Sequence, residues 1–248
     1  MATHFARGIL TEGHLVSTRL PVTCHDSARQ LPEHRRSRFL ASRALLAEMM
    51  FMLYGISELP EIAIEASGKP AFADSSLPQF SLSYAGNMVG VALTTEGECG
   101  LDMELQRATR GFHNPHGQKQ PLFTGNEQLW INNQSDPNEA QTQILTLRQS
   151  VMKLIHQMQD DPGQLQLLPG SGRLRVAQLA QVEVMCDAED VLIWSVAVAP
   201  AIESLKIWEF DSQKGWRYLA DVQTRANDPA SRLMRFTSLP AEKALILN

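Results

Sequence analysis

Asp102 and Glu104 stand two residues apart in Gly100-Leu101-Asp102-Met103-Glu104, inside a run that reads as a buried strand. Alternate strand side chains share a face, so the two carboxylates project together. Adjacent carboxylates repel unless a cation or a proton neutralises them. A hard cation such as Mg²⁺ suits the pair, because it commonly takes one or two carboxylates and completes its shell with water and phosphate oxygens. The same pair is compatible with a solvated strand edge, and its neighbours carry the distinction.

Cationic side chains are the second resource. Arg35, Arg36, Arg38 and Arg43 follow His34 on one predicted helix, and Arg36 and Arg43, about two turns apart, share a face. They read either as snorkelling arginines on a solvated face or as a phosphate grip. Gln149 and Lys153 are neighbours at four-residue spacing on another helix, opposite its apolar stripe. Between Gln106 and Asn126 lies a Gly-, Pro-, Gln- and His-rich stretch holding Arg107, Arg110 and Lys119 but no acid. It reads as a long surface loop suited to an anionic partner. His113 and His116 lie in it without a third metal ligand nearby.

The elements that must position these groups are legible in part. Strand-like alternation is expected around His14 to Val22. A helix is expected from Pro32-Glu33 to Tyr54, with Phe39, Leu46, Met50 and Leu53 on its core face and Gly55 as its stop. Strands are expected at 62–64, 79–84, 88–93 and 99–105, read as a hairpin meander with turns at Ala85-Gly86-Asn87 and 95–98. Asp136 as N-cap, Pro137 in the first turn and Glu139 then open a second helix with the stripe Ile144, Leu147, Val151, Leu154 and Met158, ended by Pro162-Gly163. A strand pair at 182–185 and 191–198 follows, then a strand at 205–210. Helix-then-strands therefore occurs twice. The expected fold is α+β, two similar halves related by a pseudo-twofold axis, with the active site in the cleft between them. The expected units are 1–105, 106–199 and a C-terminal extension, 200–248.

Composition narrows the class. The chain has 248 residues, 44% of them hydrophobic, enough to bury a sizeable core. A net charge of −5 disfavours nucleic acid as a partner. The three cysteines are scattered, which fits a reducing compartment. The amino-terminal residues lack a signal-type apolar core, and the longest apolar runs are too short to span a bilayer, so a cytoplasmic protein with no membrane association is expected.

Taken in order, four segments resemble the 4′-phosphopantetheinyl transferase family, in its larger two-lobed, surfactin-synthetase-activating type. Gly68-Lys69-Pro70-Ala71-Phe72 resembles the family's G-K-P-x-F, and Phe80-Ser81-Leu82-Ser83-Tyr84-Ala85 its F-N-x-S-H-S. Cys99 to Glu104 resembles V-G-x-D-x-E, and Leu145 to Lys153 occupies the place of W-x-x-K-E-x-x-x-K. Phe123 to Glu127 is similar to a further F-S-x-x-E. The resemblance implies transfer of phosphopantetheine from coenzyme A to a serine of an acyl or peptidyl carrier protein, releasing adenosine 3′,5′-bisphosphate. It implies Mg²⁺ at Asp102 and Glu104. It also implies phosphate contact by Lys153, a 3′-phosphate contact by Arg43, and Lys69, Ser83 and Tyr84 lining the coenzyme A site beside Arg36. Catalytic roles fall to Glu104, Gln149 and Lys153, the acid-free loop faces an acidic carrier, and a two-lobed monomer supplies the whole site.

Departures from the pattern bear on activity. Gln149 replaces the glutamate that adds a third carboxylate, and an amide cannot act as a base. Tyr84 replaces a histidine, Leu145 a tryptophan, and Arg148 a lysine. Glu104, Glu127 or a metal-bound water is then left to take the serine proton. The alternative is a degenerate member that binds coenzyme A or carrier protein without transfer.

Overall fold

The structure, a computed structural model, describes residues 2–11, 13, 15–106, 123–156, 163–219 and 222–240. The chain begins with β1 (Ala2–Ile9), α1 (Val22–Arg29), α2 (Glu33–Tyr54), β2 (Ile62–Ile64) and β3 (Pro70–Phe72). It continues through β4 (Gln79–Ala85), β5 (Met88–Thr94), β6 (Glu98–Leu105), α3 (Gly125–Asn132) and α4 (Pro137–Leu154). Then come β7 (Leu165–Leu168), β8 (Arg173–Val176), β9 (Glu183–Ala188) and β10 (Leu192–Ala199). The last elements are β11 (Ser204–Asp211), β12 (Gly215–Tyr218), α5 (Val222–Ala226) and β13 (Met234–Thr237). The fold is α+β, as expected. No helix among the described residues is long and apolar enough to cross a membrane.

Two sheets carry the architecture. The first has the order β12-β11-β1-β5-β4 and the second β6-β10-β9-β13-β8-β7, while β2 and β3 form a separate hairpin. Apolar spacing directs α2 onto the outer face of the first sheet, where Leu45, Leu46, Met49 and Met50 pack with Phe80, Val89, Val91 and Leu93. α4 covers the outer face of the second sheet, with Ile144, Leu147, Val151 and Leu154 against Val184, Cys186, Ile193 and Ala197. The inner faces meet through Phe5, Ala92, Leu101, Met103, Trp194 and Val196. The layers therefore run helix, sheet, sheet, helix. Each fully buried aliphatic side chain in them contributes about 1.5–3 kcal/mol.

The expected ends of α2 and the expected start of α4 agree with those seen, but α4 ends at Leu154, ahead of the expected stop at Pro162-Gly163, and Met158 lies outside the described residues. Gly55 ends α2 in the left-handed conformation at φ 69°, and the Asp136 side chain caps α4 by accepting from the Glu139 N–H. Other expectations are corrected. Among the described residues, 15–21 are irregular and Val22 already opens α1, so the alternation around His14 to Val22 makes no strand. The four-strand meander stops at the β4–β5 hairpin, because β1 occupies the other edge of β5 and β6 pairs with β10 instead. The strand expected at 205–210 is present as β11, parallel to β1, and the same segment also supplies β13, which lies between β8 and β9.

Candidate functional site

β4 and β6 are edge strands of different sheets, and side chains rather than a backbone ladder join them. The Leu101 N–H donates to Ser81 Oγ at 3.0 Å and the Met103 N–H to Ser83 Oγ at 3.1 Å. Both serines are buried, so the hydroxyls satisfy edge donors that would otherwise be stranded away from water. Lys153, reaching in from α4, donates to Leu82 O at 3.3 Å and Leu101 O at 2.7 Å, one carbonyl from each strand. Lys69 performs a related task at the start of β6, donating to Cys99 O at 3.1 Å and Glu98 Oε2 at 3.3 Å. The segments that resemble family motifs therefore touch one another along a single seam. Sequence reasoning missed Ser81 and Glu98, and the alternate small hydroxyls at 81 and 83 in an apolar strand were the available signal.

Gly100 brings α4 onto β6. A Cβ there would lie 2.0 Å from Ser150 O and 2.8 Å from Leu154 N, so the helix backbone rests directly on the strand. Asp102 and Glu104 follow Gly100 at two-residue steps and share its face. Lys153 Nζ lies 3.3 Å from Asp102 Oδ1, whose side chain is 15% exposed. Ser195, opposite Asp102 on β10, lies 2.9 Å through its Oγ from Ser150 Oγ, a buried hydroxyl pair that fixes α4 over the second sheet. Gln149 is exposed on α4, one turn before Lys153.

Burial raises the Asp102 pKa and Lys153 opposes that rise. Burial also raises the pKa of Glu104, and the charge on Asp102 adds to it. A carboxylate bound more tightly to its proton in the folded than in the unfolded chain destabilises the fold when ionised. Glu104→Gln is therefore expected to stabilise the metal-free protein at neutral pH, by a few tenths of a kcal/mol for a half-buried group open to solvent screening. That gain should shrink as pH falls through the raised pKa of Glu104 and vanish below the ordinary carboxylate range. Urea melts of both proteins across that range read it directly.

Further along β4, Arg43 is buried, with its guanidinium 3.9 Å from the Phe39 ring centroid and NH1 donating to Ser42 Oγ at 3.0 Å. Burial lowers its pKa, while Tyr84 favours the charged form. The Tyr84 hydroxyl donates to the same Ser42 Oγ at 3.0 Å, and Arg38 lies 5.7 Å from the Tyr84 ring. Arg43, Arg38 and Tyr84 thus form a cationic end to the seam. Arg36 is not part of it, because its guanidinium donates to Leu31 O and Arg29 O at the end of α1. Ser83 is likewise occupied by β6.

The donor set fits a hard cation in type. Asp102 and Glu104 offer carboxylate oxygens on one face, and the raised pKa of each reports a place where added positive charge is favourable. Gln149 could add an amide oxygen. Among the described residues no group of three or more His, Cys, Asp or Glu side chains is arranged to hold a metal ion, so the set is a pair. Glu127 does not extend it. Its carboxylate is buried, accepts from the Thr124 N–H at 3.0 Å in a capping box, and pairs with Arg148 at 2.5 Å. Arg107, Arg110, His113, His116 and Lys119 lie outside the described residues.

Known proteins resemble the chain over two different extents of its length. The 4′-phosphopantetheinyl transferase AcpT of Escherichia coli (strain K12) is 42% identical over 88 residues, which is 36% of this chain and 41% of AcpT. AcpT of Salmonella typhi is 37% identical over 90 residues, 33% of this chain and 44% of its own. This partial homology supports the phosphopantetheinyl transferase superfamily. Along its whole length the chain belongs to the family of Uncharacterized protein YieE of Escherichia coli (strain K12), with 65% identity over 249 residues and 100% of both chains covered. No family model matches the chain.

Proposed function

We propose that this protein transfers the 4′-phosphopantetheine group of coenzyme A to a serine of an acyl or peptidyl carrier protein. The observation that carries the reading is the convergence on one seam. Lys69, Ser81, Ser83 and Lys153, from three separated segments, all contact the strand that bears Asp102 and Glu104. The repeated layout of a helix over a sheet supports the two-lobed type, with the site in the cleft between the halves.

In the reaction the serine oxygen forms a bond to the phosphorus that carries pantetheine. The bridging oxygen leaves with adenosine 3′,5′-bisphosphate. Mg²⁺, when held by Asp102 and Glu104, supplies positive charge to the pyrophosphate oxygens. Glu104 takes the serine proton, because Gln149, an amide, cannot accept one. Arg43 and Tyr84 bind the anionic end of coenzyme A. A buried guanidinium that pairs with no carboxylate among the described residues is a fitting phosphate partner. Lys69 orients β6 from the opposite end of the seam, and Gln149 would offer an amide oxygen to the cation.

The deciding experiment is incubation with Mg²⁺, coenzyme A and several apo-carrier proteins, followed by mass spectrometry of the carriers. A mass gain of one phosphopantetheine on at least one carrier is expected. Coenzyme A binding without any such gain would instead support a binding protein, the reading that Gln149, lacking a carboxylate, favours. Gln149→Glu should raise metal affinity on the order of tenfold, since ligand charge tunes affinity for hard cations. Unchanged affinity in a calorimetric titration would remove Gln149 from the coordination.

A further inference from the structure

Lys153 has three ammonium protons and three acceptors, Leu101 O at 2.7 Å, Leu82 O at 3.3 Å and Asp102 Oδ1 at 3.3 Å. The first two are neutral carbonyls on the two edge strands, and the third is half of the carboxylate pair. We infer that Lys153 is the resident counter-ion of Asp102 and Glu104, and that a divalent cation reaches the pair by taking Asp102 from it. This rests on the metal reading proposed above.

The geometry gives the exchange a definite form. Like charges repel strongly at a half-buried site, so a divalent cation on Asp102 disfavours the ammonium at the same carboxylate. The two carbonyls remain, and they hold the ammonium at the seam. Its side chain is 35% exposed, which leaves it room to pivot toward solvent without abandoning them. Among the described residues, Lys153 is the cation that acts on both Asp102 and Glu104. The ammonium therefore keeps the seam closed and the carboxylates neutralised without metal, and it weakens metal binding by competing for Asp102. Low affinity here has two sources, the missing third carboxylate and the competing ammonium.

Lys153→Gln separates the two roles, because an amide retains two donors for Leu82 O and Leu101 O while removing the charge. Mn²⁺ is titrated alone, without coenzyme A, and free Mn²⁺ is followed by electron paramagnetic resonance. Lys153→Gln is expected to bind Mn²⁺ about tenfold more tightly than wild type, the scale of one screened charge at a half-buried site. Lys153→Arg, which keeps the charge, should match wild type. Equal or weaker binding by Lys153→Gln, with Mn²⁺ binding intact in wild type, would overturn the inference and leave the metal reading standing. Absence of Mn²⁺ binding in both proteins would overturn both. Should Lys153→Gln fail to fold, the wild-type ammonium resonance of Lys153 carries the test in a Mg²⁺ titration. A saturable shift supports exchange, and a stationary signal overturns it.

Discussion

Gly100→Ala is expected to destabilise the protein by about 3 kcal/mol, at the upper end for a single added methyl group. The atoms that would meet the new Cβ, Ser150 O at 2.0 Å and Leu154 N at 2.8 Å, belong to helix backbone, so no side chain can rotate away. Either α4 lifts from β6 or the strand bends. Lifting α4 would draw Lys153 away from Leu82, Leu101 and Asp102 and open the hydroxyl pair between Ser150 and Ser195. The melting temperature should fall by roughly 6–12 °C for a chain of this size. Gly170→Ala is the control, since a Cβ there has nothing within 4 Å, and it should stay within about 0.5 kcal/mol of wild type. If Gly100→Ala melts like that control, the close helix–strand approach is not what the glycine provides.

The same residue illustrates what a sequence can and cannot disclose. Gly100 is legible as part of a motif, but its partner is a helix backbone some fifty residues on, and no local pattern names that contact. Helices with an apolar stripe were legible: α2 begins and ends close to where spacing and Gly55 place it, and α4 begins at Pro137 but stops at Leu154, short of the expected Pro162-Gly163. β1 was not, because it is central in its sheet and covered on both faces. Alternation disappears in such a strand, and buried His4 and Arg7 disguise it further. α1 escaped for the opposite reason, since Ala28 is its one buried residue and it shows no stripe. That omission carried over to Arg36. Its seven-residue spacing from Arg43 was readable, yet the carbonyls it binds belong to the unexpected end of α1.

Partner choice was the other gap. Three strands in succession read naturally as a meander, and β6 would continue it if β5 had a free edge. β1 takes that edge from the start of the chain, so β6 is turned out to pair with β10. The consequence is chemical. Because β6 belongs to the second sheet but lies against the first, its carboxylates stand beside a seam rather than on an outer edge. Serine hydroxyls and Lys153 replace the missing ladder, and the residues that join the sheets lie beside the carboxylate pair.

Arg148→Met is expected to cost about 3–5 kcal/mol, the range for leaving one partner of a buried ion pair uncompensated. Glu127 is fully buried and Arg148 is 8% exposed. Both carboxylate oxygens of Glu127 accept from one nitrogen of Arg148, while Oε2 also accepts from the Thr124 N–H. Glu127→Leu combined with Arg148→Met removes both charges and should recover most of the loss. A residual of about 1 kcal/mol is expected for the capping box that Glu127 completes at the start of α3. Arg148→Lys, which keeps the positive charge opposite Glu127, should cost less than the methionine change. A double-mutant cycle in urea measures the coupling, and a value near zero would show that the pair does not hold α3 to α4. The cycle also separates structure from catalysis. Arg148 sits in the segment that resembles a phosphate-contacting motif, yet its geometry commits it to Glu127. Transfer activity in the double variant should therefore follow the folded fraction, whereas a direct contact with coenzyme A would lose activity in a fully folded protein.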